Sequence, residues 1–108
     1  MQGFQVTFHT EQNRRHGHHL VTDWLMELAQ SLGIQGVTTS AGTLGVGRDG
    51  KLHSAHFIEL SDQPVAVTMA LTAPQCTLLF DRLALENANL FYVKTAVEFG
   101  VVGDVSAH

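Results

Sequence analysis

The chain has a single cysteine, Cys76, among its 108 residues. That excludes a disulfide within the chain. Cys76 sits in a helical apolar pattern and reads as a small buried hydrophobe rather than a reactive thiol. Charge is also scarce: 15% of residues are Asp, Glu, Lys or Arg, below the usual quarter. The six cations, Arg14, Arg15, Arg48, Lys51, Arg82 and Lys94, are scattered, and the net charge is −4 with histidine neutral. A nucleic-acid binder would mass its basic residues on one face, so that class is set aside. No apolar run reaches the roughly 18 residues of a membrane-spanning helix. The opening Met-Gln-Gly-Phe-Gln carries no basic-then-apolar leader pattern. No membrane insertion is expected, and the expected location is the cytoplasm.

What is present is a core. Hydrophobic residues make up 44% of the chain, and this length predicts one domain over residues 1–108. A small, weakly charged domain buries too little surface alone, so self-association is expected. Seven histidines make the net charge strongly dependent on pH.

Phe4, Val6 and Phe8 alternate with Gln5, Thr7 and His9, the period of a strand with one buried face. The polar run Thr10 to His18 reads as a loop. Leu20, Val21, Trp24, Leu25, Leu28, Ala29 and Leu32 then form one apolar helical stripe, and Gly33 is placed to end it in the left-handed region. Val37 to Ala41 reads as a second strand. A glycine-rich segment follows, and residues 52–60 look extended. Val65, Val67, Met69 and Leu71 alternate with Ala66, Thr68 and Ala70 in a third main strand. The small residues there suggest a second covered sheet face. Thr72-Ala-Pro-Gln75 has the form of a capping box, opening a helix with Cys76, Leu79, Phe80, Leu83 and Ala84 on its apolar side. Asn87 and Asn89 end it. Phe91, Val93, Val97 and Phe99 have period 2, and Gly100 to His108 reads as a tail extending an edge. The order β-α-β-loop-β-α-β predicts an α+β fold, the ferredoxin-like split βαβ sandwich, with two helices on one face of an antiparallel sheet.

The segment from Gly42 to Phe57 packs four glycines, an Asp-Gly turn, two cations and two histidines between strand-like stretches. Gly45-Val-Gly-Arg-Asp-Gly50 formally fits G-x-G-x-x-G. A strand-like run follows it rather than a helix, and the chain is too short for a doubly wound fold, so it is not a dinucleotide fingerprint. The remaining inference is an anion-contacting loop. Gly42, Gly45 and Gly47 would let backbone approach a ligand, with Arg48, Lys51 and His53 beside it. His16, His18, His19, His53 and His56 offer imidazoles for zinc, copper or nickel, at no known closed zinc spacing. In an extended segment His53 and His56 would face opposite ways. Glu59, Asp62, His53 and Glu98 are the acid–base candidates. No nucleophile–base pairing stands out among them, so no enzyme activity is expected.

The run His16-Gly17, then Gly33-Ile-x-Gly36-Val-Thr, then Gly42-x-x-Gly45-x-Gly47-Arg-Asp-Gly-Lys-Leu-His-Ser-Ala-His-Phe-Ile-Glu-Leu-Ser-Asp-Gln-Pro64-Val, resembles a branch of the PII-like superfamily catalogued as a domain of unknown function. Leu90 to Gly103 resembles it too, so the resemblance covers residues 4–103. It implies a ferredoxin-like homotrimer that acts in signalling. The ligand, an adenine nucleotide in the family, would lie in the cleft between subunits. A long loop between the second and third main strands would dock on a protein target such as a transporter, enzyme or regulator. Residues 42–53 occupy that loop's position. Long-known PII proteins also carry a glycine- and lysine-containing phosphate loop between the second helix and the last strand. Here that position reads Leu85-Glu-Asn-Ala-Asn-Leu90, with neither residue. Tyr92, the one tyrosine, falls in the last strand and does not match the tyrosine those proteins modify. Two other readings remain: a metal-binding trimer using the histidines, and a small enzyme using Glu59 with a histidine.

Overall fold

The computed structural model describes residues 1–41 and 63–103, and the backbone of 44–46 and 52–54. In chain order the elements are β1 (Gln2–Glu11), β2 (Arg15–His16), β3 (His19–Leu20), α1 (Val21–Ser31), β4 (Gly36–Ala41), β5 (Leu44–Val46), β6 (Leu52–Ser54), β7 (Pro64–Thr72), α2 (Ala73–Leu85) and β8 (Phe91–Glu98). The main sheet has the order β4-β7-β1-β8, every neighbouring pair antiparallel. The helices connect β1 to β4 and β7 to β8, each time stepping over one strand. This is the split βαβ arrangement expected.

The strand pairing explains which face is buried. Residues directly opposite each other across a ladder share a face. Phe8 pairs with Val67, Val6 with Met69 and Phe4 with Leu71. These side chains pack with Val21, Trp24, Leu25, Leu28 and Ala29 of α1 and Cys76, Leu79 and Leu83 of α2 in one cluster. Both helices therefore cover the same side of the sheet.

The helix ends follow from their sequences. At α1, Gly33 has φ +74, its N–H reaches Gln30 O, and Ile34 N–H reaches Ala29 O. That is the Schellman pattern, with a buried Ile34–Ala29 closure. At α2, the Thr72 hydroxyl accepts from Gln75 N–H while the Gln75 side chain accepts from Thr72 N–H, a complete capping box. Gln75 Nε2 also donates to Leu32 O and Gly33 O, joining the end of α1 to the start of α2.

The structure corrects three local expectations. The run 10–18 is not wholly a loop: β1 continues to Glu11, and β2 and β3 form a small hairpin whose turn begins at Gly17, φ +63. The glycine-rich segment is not wholly a loop either, since β5 and β6 pair antiparallel, Leu44 with Ser54, Gly45 with His53 and Val46 with Leu52. Of the extended run expected over 52–60, residues 52–54 are strand and 55–60 lie outside the described residues. Finally, of the tail expected to extend an edge from Gly100 to His108, residues 100–101 carry no strand, 102–103 are turn, and 104–108 lie outside the described residues.

Candidate functional site

The segment expected to hold the ligand loop is described only in part. Gly42, Gly47, Arg48, Lys51 and His56 lie outside the described residues, as do Glu59 and Asp62. Gly45 and His53 face each other across the β5–β6 ribbon. The span from residue 47 to 51, with Arg48 and Lys51, is the stretch of sequence that joins the ribbon's two strands.

Three candidate histidines, His16, His18 and His19, are brought to one hairpin. His16 and His19 pair across β2–β3, with His18 in the turn. Among the described residues no group of three or more His, Cys, Asp or Glu is placed to hold a metal ion. His16 is engaged otherwise. Its ring stacks on Trp24 of α1, centroids 3.8 Å apart and planes 15° apart. Its Nε2 lies 3.2 Å from Glu86 Oε1 at the end of α2. The other carboxylate oxygen, Oε2, accepts from Arg82 Nε one helical turn back. The Arg82 guanidinium first, and then His16, hold the Glu86 carboxyl below the usual carboxylate range.

Arg14 completes this corner. Its carbonyl accepts the N–H of Val21, the first residue of α1. Its guanidinium donates to Ala88 O at 2.7 Å and Asn89 O at 2.9 Å, just past the end of α2. A cation at a helix C-terminus is favoured by the aligned carbonyl dipoles. Arg14 thus ties the start of α1 to the end of α2, as Gln75 ties their other ends. Asn87 and Asn89 both have φ +53. Asn87 is the left-handed residue of a second Schellman closure, with Asn87 N–H on Ala84 O and Ala88 N–H on Leu83 O. The His16–Glu86 and Arg14–Ala88 contacts join residues 70 and 74 positions apart, and nothing local in the sequence signals them.

The sheet face away from the helices has its own character. Val93 pairs with Thr7, Phe91 with His9 and Val97 with Gly3, so the apolar period of β8 points away from the helices. Phe91 and Val93 are 53% and 50% exposed. On β1 this face carries Gln5, Thr7 and His9, and on the strands beyond it small and hydroxyl side chains: Thr68, whose hydroxyl lies 3.1 Å from that of Thr7, with Ala66, Ala70 and Thr38 in register. On the helix side of β8 stands Lys94, its ammonium 4.1 Å from the centre of the Phe4 ring, a cation–π contact. A shallow groove between α1 and β4 is lined by Met26, Glu27, Gln30, Ile34 and Val37. Its lining has no cation to offer an anionic ligand. Among the described residues no helix is long and apolar enough to cross a membrane.

With that geometry in hand, comparison with known proteins gives the class and then the family. The fold is that of PII-like proteins. CPII, a nitrogen regulatory PII-like protein from Thiomonas intermedia K12, seen bound to ADP, AMP and bicarbonate, superposes with a TM-score of 0.61 at 17% identity, covering 90% of this chain and 89% of that one. A second structure of it, bound to ADP and bicarbonate, gives 0.62 at 14% identity, with 90% and 89% covered. A Thermus thermophilus protein described as a putative PII-like signaling protein gives 0.61 at 16% identity, with 89% and 85% covered. No curated protein matches the sequence. The DUF190 family model, described as Uncharacterized ACR, matches residues 3–89, and the chain belongs to that family.

Proposed function

We propose that this chain is a PII-like regulatory protein, a single domain over residues 1–108. In this reading it senses a small anionic or nucleotide-like ligand, most simply an adenine nucleotide, in a cleft between subunits. It acts on a protein partner in the cytoplasm through segment 42–53, with no chemistry of its own. The observation that carries the reading is the likeness of fold, over nine tenths of the chain, to a regulatory protein seen with ADP, AMP and bicarbonate.

Two features of the chain support it. The half-exposed Phe91 and Val93 on the face away from the helices suit burial against further copies in a homotrimer. The β5–β6 ribbon suits a ligand loop, with Gly42, Gly45 and Gly47 allowing close backbone approach, Arg48 and Lys51 meeting negative charge, and His53 opposite Gly45. A ligand acts as a switch only when it binds one state of the loop better than another.

The test is a thermal-shift series at matched pH with ADP, AMP and bicarbonate, on the natural sequence and on Arg48→Ala. A ligand bound by the folded state raises the melting temperature by mass action. The natural sequence should respond to a nucleotide, and Arg48→Ala should respond less while melting at the same temperature without ligand. An equal response would remove Arg48 from the site.

A further inference from the structure

We infer that the corner between the β2–β3 hairpin and the end of α2 is an anion seat filled from within, with the Glu86 carboxylate as its occupant, and so closed to a ligand's phosphate. The accounting of donors and acceptors leads there. A phosphate at a turn needs free backbone N–H groups and uncompensated positive charge. Here the N–H groups of Glu86, Asn87 and Ala88 are all spent on the carbonyls of Arg82, Ala84 and Leu83. The turn shows carbonyls outward instead, and those of Ala88 and Asn89 face Arg14. Two other donors at the corner, the His16 ring and the Arg82 guanidinium, each reach one oxygen of Glu86. A carboxylate with one oxygen on each of two donors is bound as an external anion would be.

The residues present do not fit a phosphate-binding turn: its N–H groups are spent on helix carbonyls, Arg14 is spent on backbone carbonyls, and the donors of His16 and Arg82 already hold Glu86. An anionic ligand would reach the donors of His16 and Arg82 only by displacing Glu86. The inference does not depend on which ligand the chain senses.

The seat is tested by titrating isotope-labelled protein with inorganic phosphate at mildly acidic pH, where an ordinary imidazole carries charge. In the natural sequence the amides of residues 86–89 should not move. Glu86→Ala should empty the seat, so that phosphate gives saturable shifts at the His16 ring and Arg82 Nε. Glu86→Gln keeps the side chain's shape and loses its charge, and should respond in the same sense more weakly. Protection of the Asn87 and Ala88 amides from hydrogen exchange checks that both variants keep the helix end. Arg14→Ala should speed their exchange by about tenfold, the worth of a charge-assisted hydrogen bond. Saturable shifts at residues 86–89 in the natural sequence would overturn the inference, as would two folded Glu86 variants that both ignore phosphate. Shifts elsewhere in the natural sequence bear on the proposed ligand site and leave the seat untouched.

Discussion

His16 lies flat on Trp24, with ring centroids 3.8 Å apart. Trp24 is the one tryptophan of the chain, so its fluorescence reports whether the hairpin is docked. His16→Ala should uncover the indole and shift its emission to the red. It should also lower stability by about 1 kcal/mol, the usual value of an aromatic pair, read from urea unfolding. An unchanged emission maximum would mean that the stacking does not persist in solution.

Glu86 gives a pH dependence of known sign. Its folded carboxyl sits below the ordinary value of 4.5, chiefly because of Arg82 and then His16. A depressed carboxyl contributes stability above its unfolded pKa and loses it as pH falls through the folded one. The advantage of the natural sequence over Glu86→Gln should therefore be full at neutral pH and vanish on acidification below about 4.5. A difference that grows on acidification would contradict the contacts described.

Gln75 closes the capping box and reaches the end of α1 as well. Gln75→Ala should cost more than a cap alone, about 1–2 kcal/mol, while Thr77→Ala on the exposed side of α2 should be nearly neutral. Paired denaturation curves decide it.

Gly3 admits no side chain. A Cβ there would stand 2.2 Å from the Leu71 carbonyl oxygen and 2.6 Å from the Phe99 ring. Backbone cannot yield as a flexible side chain does, so Gly3→Ala should destabilise by about 2 kcal/mol or more. A melting temperature equal to that of the natural sequence would show that β1 and β7 separate more easily than their pairing suggests.

If copies of the chain meet through the face away from the helices, Val93→Asp should break the assembly. The substituted carboxylate would face Thr7 and any neighbouring copy without a cation in register. Sedimentation should show trimer for the natural sequence and monomer for the variant, with the secondary structure retained.

Much of the fold was legible because its signals are local. The period of Phe4, Val6 and Phe8 marks β1, Gly33 marks the end of α1, and Thr72 with Gln75 marks the start of α2. The β2–β3 hairpin reads as loop in the sequence, because strands of two residues each are too short to show a period. The apolar set of β8 was legible as a strand, but its side was not. Only the pairing of Val93 with Thr7 and Tyr92 with Phe8 tells which face it takes. The histidines looked like ligands because imidazole chemistry is visible in sequence. The attachment of His16 to Glu86 is not, since it is made by tertiary packing across the corner. The candidate residues Arg48 and Lys51 lie outside the described residues, so the sequence remains the ground for naming them.

The most direct measurement is a calorimetric titration of ADP into the untagged protein, with the nucleotide assayed afterwards. The regulatory reading predicts saturable binding at no more than one site per chain, with ADP recovered intact. No heat with ADP, and none with AMP or bicarbonate in its place, would contradict a ligand-sensing role, and loss of the nucleotide would contradict the absence of chemistry.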